Sequence, residues 1–292
     1  MLKPILKLSL LSVVFSLISL AALAQKIKEP QNVPPEWSKA YTPFRIAGNL
    51  YYVGTYDLAC YLVTTPKGHI LINTGLAASA KMIKANVESL GFKFADIKTL
   101  MTTQAHYDHM GAMAAIKKMT GASMMVDEED AAVMADGGSS DYALGGYGRT
   151  YQPVRADRLL HNGDTVKLGG MNLVMLHHPG HTKGSCSFLF DVKDEQRSYR
   201  VLIANMPSIV TEKKFTEITT YPHIAKDYAY TLNAMKNLAF DIWLSSHASQ
   251  FGLHQKHQPG DAYRPSAFAD RTGYDAALTD LQSQYDKKIA DQ

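Results

Sequence analysis

The sequence predicts an α+β protein in which two similar β-rich halves pack sheet on sheet with helices outside, one domain of four layers. Three observations carry this expectation. Short β-prone runs bounded by Gly or Pro-Lys-Gly turns occur in both halves of the chain. Segments with apolar residues at helical spacing follow them. The 292 residues are 46% hydrophobic and 20% charged, which is enough apolar material for a sizeable core and excludes a largely disordered chain.

The first element is a leader. Met1 to Ala24 reads as a secretory signal peptide, with Lys3 and Lys7 at the start, an apolar run from Leu8 to Leu20 and the small-x-small pattern Ala22-Leu23-Ala24. That run is shorter than the roughly 20 residues that span a bilayer, which argues against a membrane anchor. Cleavage would leave residues 25–292 as a single exported domain of 268 residues, soluble in the periplasm. Losing Lys3 and Lys7 with the leader lowers the formal charge from +3 to +1. The basic residues are also scattered, so no nucleic-acid surface is expected.

After a Pro-rich lead (Glu29-Pro30 to Pro34-Pro35), strands are expected at Asn49 to Val53, Tyr61 to Thr65 and His69 to Ile72, as in a meander. Ala80, Ile83, Val87 and Leu90 mark a helix over Ala77 to Leu90 that stops before Gly91. Ile97 to Met101 reads as a strand, Gly111 to Met119 as a helix and Ser123 to Val126 as a strand. The Gly-, Ser- and Tyr-rich stretch from Gly137 to Gly148 has no clear period and reads as a mobile surface loop. Strands follow at Thr165 to Leu168, Met171 to Leu176, Ser185 to Phe190 and Arg200 to Ile203. A helix from about Ala225 to Leu238, a strand at Ile242 to Leu244 and a helix around Ser266 to Tyr285 complete the chain. Cys60 and Cys186 lie inside apolar runs and are expected as buried thiols, although an oxidising compartment permits a disulfide.

The chemistry is concentrated in Gln104-Ala105-His106-Tyr107-Asp108-His109, on a strand-to-helix loop. In an extended stretch residues two apart point the same way, so Gln104, His106 and Asp108 can face one side, and His109 can swing toward them. Imidazoles with a carboxylate are donors that zinc accepts. His181, in His178-Pro179-Gly180-His181, and His247, in Ser245-Ser246-His247, also stand just past the ends of apolar strands, where loops gather into a cleft. Either alone is a weak signal; together with the first segment they outline a metal site. His254 and His257 lie in a polar stretch and read as solvated surface, and His69, His161, His177 and His223 give no metal signal.

With these residues in view, the chain resembles the metallo-β-lactamase superfamily, whose signature is His-x-His-x-Asp-His followed by two distant histidines. It is most similar to subclass B3, in the GOB-like branch where Gln replaces the first metal-binding His. The resemblance runs over nearly the whole mature chain and implies an αββα sandwich with zinc at one edge. Carried over residue by residue, it implies that Gln104, His106 and His181 hold the first zinc and Asp108, His109 and His247 the second. It further implies zinc-dependent hydrolysis of the lactam amide of penicillins, cephalosporins and carbapenems by a metal-bound hydroxide that Asp108 orients, hence β-lactam resistance. The implied partner is a small-molecule β-lactam, and the expected state is a monomer.

Three departures matter. The neutral amide of Gln104 is a poorer zinc donor than imidazole, so the first site is expected to be the weaker, with one or two ions per chain. Met206 stands where other subclasses place a ligating Cys and most B3 members a Ser, and is expected to pack as a wall of the pocket. Asn73 stands where many superfamily members have Asp, which alters hydrogen bonding behind the ligands. Ser208 either hydrogen-bonds the substrate carboxylate or is a turn residue after Pro207, and the loop from Gly137 to Gly148 is placed at the flank of the cleft. Two other readings compete. A lactonase or thioesterase of the same fold would want a bridging Asp where this chain has Asn205-Met206-Pro207, and a non-catalytic metal-binding relative would be expected to have lost more than one ligand.

Overall fold

A computed structural model describes residues 26–292; the expected signal peptide, residues 1–24, lies outside the described residues. Strands β1 (Phe44–Ala47), β2 (Leu50–Tyr52), β3 (Tyr61–Thr65) and β4 (Gly68–Ile72) form an antiparallel meander. The chain then crosses over through α1 (Ala80–Ser89) to β5 (Ile97–Met101), through α2 (Tyr107–Met110) and α3 (Met113–Thr120) to β6 (Ser123–Asp127), and through α4 (Ala131–Asp136) to β7 (Arg158–Leu160). These last strands pair in parallel, giving a seven-stranded sheet in sequence order. The second sheet has β8 (Thr165–Leu168), β9 (Met171–His177), β10 (Cys186–Lys193) and β11 (Ser198–Ala204), all antiparallel. After α5 (Ile224–Lys236), β12 (Ile242–Ser245) adds in parallel to β11, and α6 (Leu253–Lys256) and α7 (Arg271–Ala290) follow.

Period-two alternation explains the layers. On β3, Tyr61 and Val63 face the core between the sheets, while Leu62 faces the helices; on β4, Ile70 and Ile72 face inward and Leu71 outward. Both faces are covered, so these strands read as continuous apolar runs. The inter-sheet core is completed by Phe188, Phe190, Val201 and Ile203 from the second sheet. Ile83 and Val87 of α1 with Met113 and Ile116 of α3 cover the first sheet's outer face. The result is the α+β sandwich of four layers, αββα.

The halves are less alike than expected, seven strands against five, because the first carries three parallel crossovers and the second only one. Strands β1 and β7 and helix α4 are too short to register as periodic patterns. Ala77–Ser79 is a 3-10 turn leading into α1, and Pro265–Phe268 is another before α7, whose cap is Asp270 accepting from the Gly273 amide at 2.8 Å. His254 and His257 are packing residues rather than solvated surface: each stacks at 3.7 Å, on Tyr56 and Phe44 respectively. Cys60 and Cys186 are free and buried. Among the described residues, no helix is long and apolar enough to cross a membrane.

What positions the functional residues is strand direction. In parallel pairs the carboxyl ends lie along one edge, so the residues after β4, β5 and β6 meet those after β11 and β12. Gly111, at the turn from α2 to α3, packs so closely on the chain after β4 that a Cβ there would sit 2.4 Å from the Ala77 nitrogen and 2.5 Å from the Leu76 carbonyl carbon. Gly111→Ala is therefore expected to lower stability by about 1–3 kcal/mol, read as a lower urea midpoint with an unchanged slope.

Candidate metal centre

The edge formed by these strand ends holds a cleft of about 260 Å³, and Gln104, His106, Asp108, His181 and His247 all line it. Met206 and Ser208 line it too, with Trp37, Tyr107, Leu144 and Val210 among the remaining walls. His109 stands directly behind, fully buried, with Nε2 3.2 Å from an Asp108 carboxylate oxygen. Thus the structure brings all six sequence-predicted donors to one place. Local backbone explains the first four. His106 is extended at the head of α2, and the helix turns Asp108 and His109 back toward the cleft.

Two groups are distinguishable. Ligand atoms of Asp108, His109 and His247 all lie within 4.8 Å of one another, with His247 Nε2 3.4 Å from Asp108 Oδ2. On the other side, the rings of His106 and His181 are 4.9 Å apart and share the cleft with Gln104.

Each cleft histidine is aimed through its other nitrogen, the arrangement expected of a metal-binding imidazole. His247 Nδ1 meets Asp57 Oδ2 at 3.1 Å, His181 Nδ1 donates to the Ser208 carbonyl at 2.8 Å, and His106 Nε2 faces Asp141 Oδ2 at 3.4 Å. These contacts leave Nε2 of His181 and Nδ1 of His106 turned away from their hydrogen-bond partners, while Nε2 of His247 faces the Asp108 carboxylate. Asp57 is itself fixed by the Trp37 indole N–H at 3.1 Å and the Ser249 amide at 2.8 Å.

The electrostatics fit a cation. Burial pushes His181 down to about 3 and lowers His109, so both are neutral donors. Burial would also raise Asp108, but His109 and His247 outweigh it and hold the carboxyl well below its usual range. Burial opposes a proton on His247, yet the hydrogen bonds it donates to Asp108 and Asp57 hold it up to about 9. The buried atoms Gln104 Oε1 and His109 Nδ1 have no hydrogen-bond partner. Orphaned polar atoms of this kind are costly in a dry interior unless something binds them, and this O/N donor set suits zinc.

Three contributors were missed from sequence: Asp57, Asp130 and Asp141. Each acts through a contact across the fold. Asp141 changes the reading of the stretch from Gly137 to Gly148, which is not a free surface loop. Its buried carboxylate faces His106 and accepts from the Ala143 and Leu144 amides at 2.9 and 2.6 Å, while Tyr142 donates to the Gly180 carbonyl at 2.9 Å. Leu144 thereby becomes a wall of the cleft.

Comparison with known proteins agrees with this geometry. The family model of the metallo-beta-lactamase superfamily matches residues 54–194. Among solved structures, the chain is similar to the class B3 di-zinc metallo-beta-lactamase LRA-12 from an Alaskan soil metagenome. Identity is 69% and the TM-score 0.89, over 90% of this chain and 99% of that one. It is also similar to the metallo-beta-lactamase GOB-18 from Elizabethkingia meningoseptica, with 58% identity and a TM-score of 0.91 over 92% and 100% of the two chains. Curated relatives are more distant. A hydroxyacylglutathione hydrolase of Rhodopseudomonas palustris is 28% identical over 131 residues, 45% of this chain and 42% of that protein. The chain spans only 36% to 59% of the length of such relatives. The chain belongs to the metallo-beta-lactamase superfamily, as a class B3 metallo-beta-lactamase.

Because Asp57 orients His247 from behind, Asp57→Asn is expected to weaken zinc binding about 10- to 100-fold, measured by competition with a chelator.

Proposed function

We propose that this class B3 enzyme is a zinc-dependent β-lactamase that hydrolyses the lactam amide of penicillins, cephalosporins and carbapenems. Gln104, His106 and His181 would hold one zinc, and Asp108, His109 and His247 the other. The observation that carries this reading is the meeting of all six donors at one cleft, in a chain 69% identical to a di-zinc enzyme of the class.

The reaction adds water across the amide: the carbonyl carbon gains a hydroxyl, the C–N bond breaks, and the nitrogen gains a proton. Zinc, when bound, supplies Lewis acidity, making water acidic enough to attack near neutral pH and drawing charge from the lactam carbonyl. The chain's own residues supply position. Asp108 stays ionised in its buried setting, accepts hydrogen bonds, and orients the attacking water. Ser208 Oγ lies at the cleft, 3.1 Å from His181 Nδ1, where its hydroxyl would donate to the substrate carboxylate. Met206, buried at the cleft, packs as wall rather than ligand, and with Trp37, Leu144 and Val210 it offers apolar surface to the substrate's side chains. The absence of a carboxylate at Asn205 disfavours the thioesterase reading, since the bridging acid of that class has no counterpart at this place. The leader supports export to the periplasm, where the chain would act as a monomer.

Hydrolysis of nitrocefin and a carbapenem is expected from the zinc-loaded protein, lost with EDTA and restored by zinc; zinc-loaded protein without such turnover would refute the reading. Gln104→His exchanges an amide oxygen for an imidazole and is expected to tighten the first site at least about 10-fold, bringing stoichiometry to two ions per chain by elemental analysis.

A further inference from the structure

Asp130, on the turn Glu128–Asp130 after β6, is a fully buried carboxylate that touches none of the six donors by hydrogen bond. Its oxygens accept from the Ala105 amide at 2.8 Å, the Thr182 hydroxyl at 2.7 Å and the Gly184 amide at 2.9 Å. Ala105 lies between Gln104 and His106, and Thr182 follows His181. One carboxylate therefore ties together the two loops that carry the whole first group of donors. The Ala105 peptide is held at its other end as well, because the Tyr151 hydroxyl donates to its carbonyl at 2.7 Å.

We propose that Asp130 is a positioning residue for the first metal site, clamping the loops of Gln104, His106 and His181 at the spacing that site needs and so setting its zinc affinity. The inference rests on the ligand assignment proposed above. Three features favour it over general structural support. First, the partners demand a carboxylate. The Ala105 and Gly184 amides donate to opposite oxygens, so an Asn would turn its NH₂ toward one of them. Second, the loop is fitted to the acid: a Cβ on Gly184 would fall 2.4 Å from the Asp130 nitrogen and 2.8 Å from its Cβ. Third, the other group is held by separate means. Asp57 aims His247, and the Thr74 hydroxyl and amide both donate to the His109 carbonyl at 2.9 Å.

The test is stepwise zinc affinity of the full mature protein, by competition with a chromophoric chelator, with each ion located by anomalous diffraction. Asp130→Asn and Thr182→Val are expected to weaken the first site about 10-fold or more, with the second within about threefold of wild type and Thr182→Ser close to wild type at both. Thr182→Val is nearly isosteric and carries the test if Asp130→Asn does not fold. Equal weakening of both sites, or no change at either in a folded variant, overturns the clamp while leaving the ligand assignment intact. A wild-type protein with no ion between Gln104, His106 and His181 overturns that assignment and the clamp with it.

Discussion

The hydroxyls of Thr103 and Ser246 meet at 2.9 Å where the two sheets converge. Each residue immediately precedes a cleft-lining side chain, Gln104 in one sheet's loop and His247 in the other's, so this contact sets the distance between the halves at the cleft. It does not stand alone. The Thr103 amide donates to Asn73 Oδ1 at 2.9 Å, the Ser246 hydroxyl reaches Asn205 Oδ1 at 3.4 Å, and the Asn205 amide donates to Ser187 Oγ at 3.1 Å. Ends of β4, β5, β11 and β12 and the start of β10 are thus joined by one run of neutral hydrogen bonds. Asn73 takes its place in it with φ of 61°, a left-handed conformation that Asn tolerates better than most side chains. The amide where relatives commonly carry Asp therefore lets the network fix geometry without adding a further buried charge.

Charge enters in a ring outside that neutral seam. Asp57, Asp108, Asp130 and Asp141 all approach the cleft, and each is stabilised by donors rather than by Lys or Arg. Buried carboxylates without cationic partners are expensive in a protein interior, and imidazoles alone offset them incompletely. Divalent ions bound at the centre would balance this arrangement, a physical reason for so many acids to be retained there.

What was legible in the sequence was whatever local geometry decides. The alternation of Gln104, His106 and Asp108 needs only an extended backbone, and His181 and His247 announce themselves by following apolar strands. The meander and the sandwich follow from runs such as Tyr61–Thr65 and Gly68–Ile72, whose apolarity requires cover on both faces. Asp57, Asp130 and Asp141 were not legible, because an acid's role there comes from a partner brought in by tertiary folding. For Asp57 the partner is 190 residues away in the chain. The loop from Gly137 to Gly148 misled for the same reason: its composition describes its backbone freedom, while Asp141 and Tyr142 decide where it is moored. His254 and His257 look polar by neighbourhood but are held by ring stacking that no local pattern encodes.

The second group of donors draws Asp108 and His109 from the first half and His247 from β12 of the other sheet, so neither half can assemble it alone. Metal affinity is consequently a property of the finished sandwich, and every ion bound adds to the free energy that opposes unfolding. Zinc held by these residues would be a cross-link as well as a reagent. A compartment poor in free zinc would leave a chain that is slower to catalyse and also easier for proteases to open, so nutritional starvation of the metal would deplete the enzyme itself.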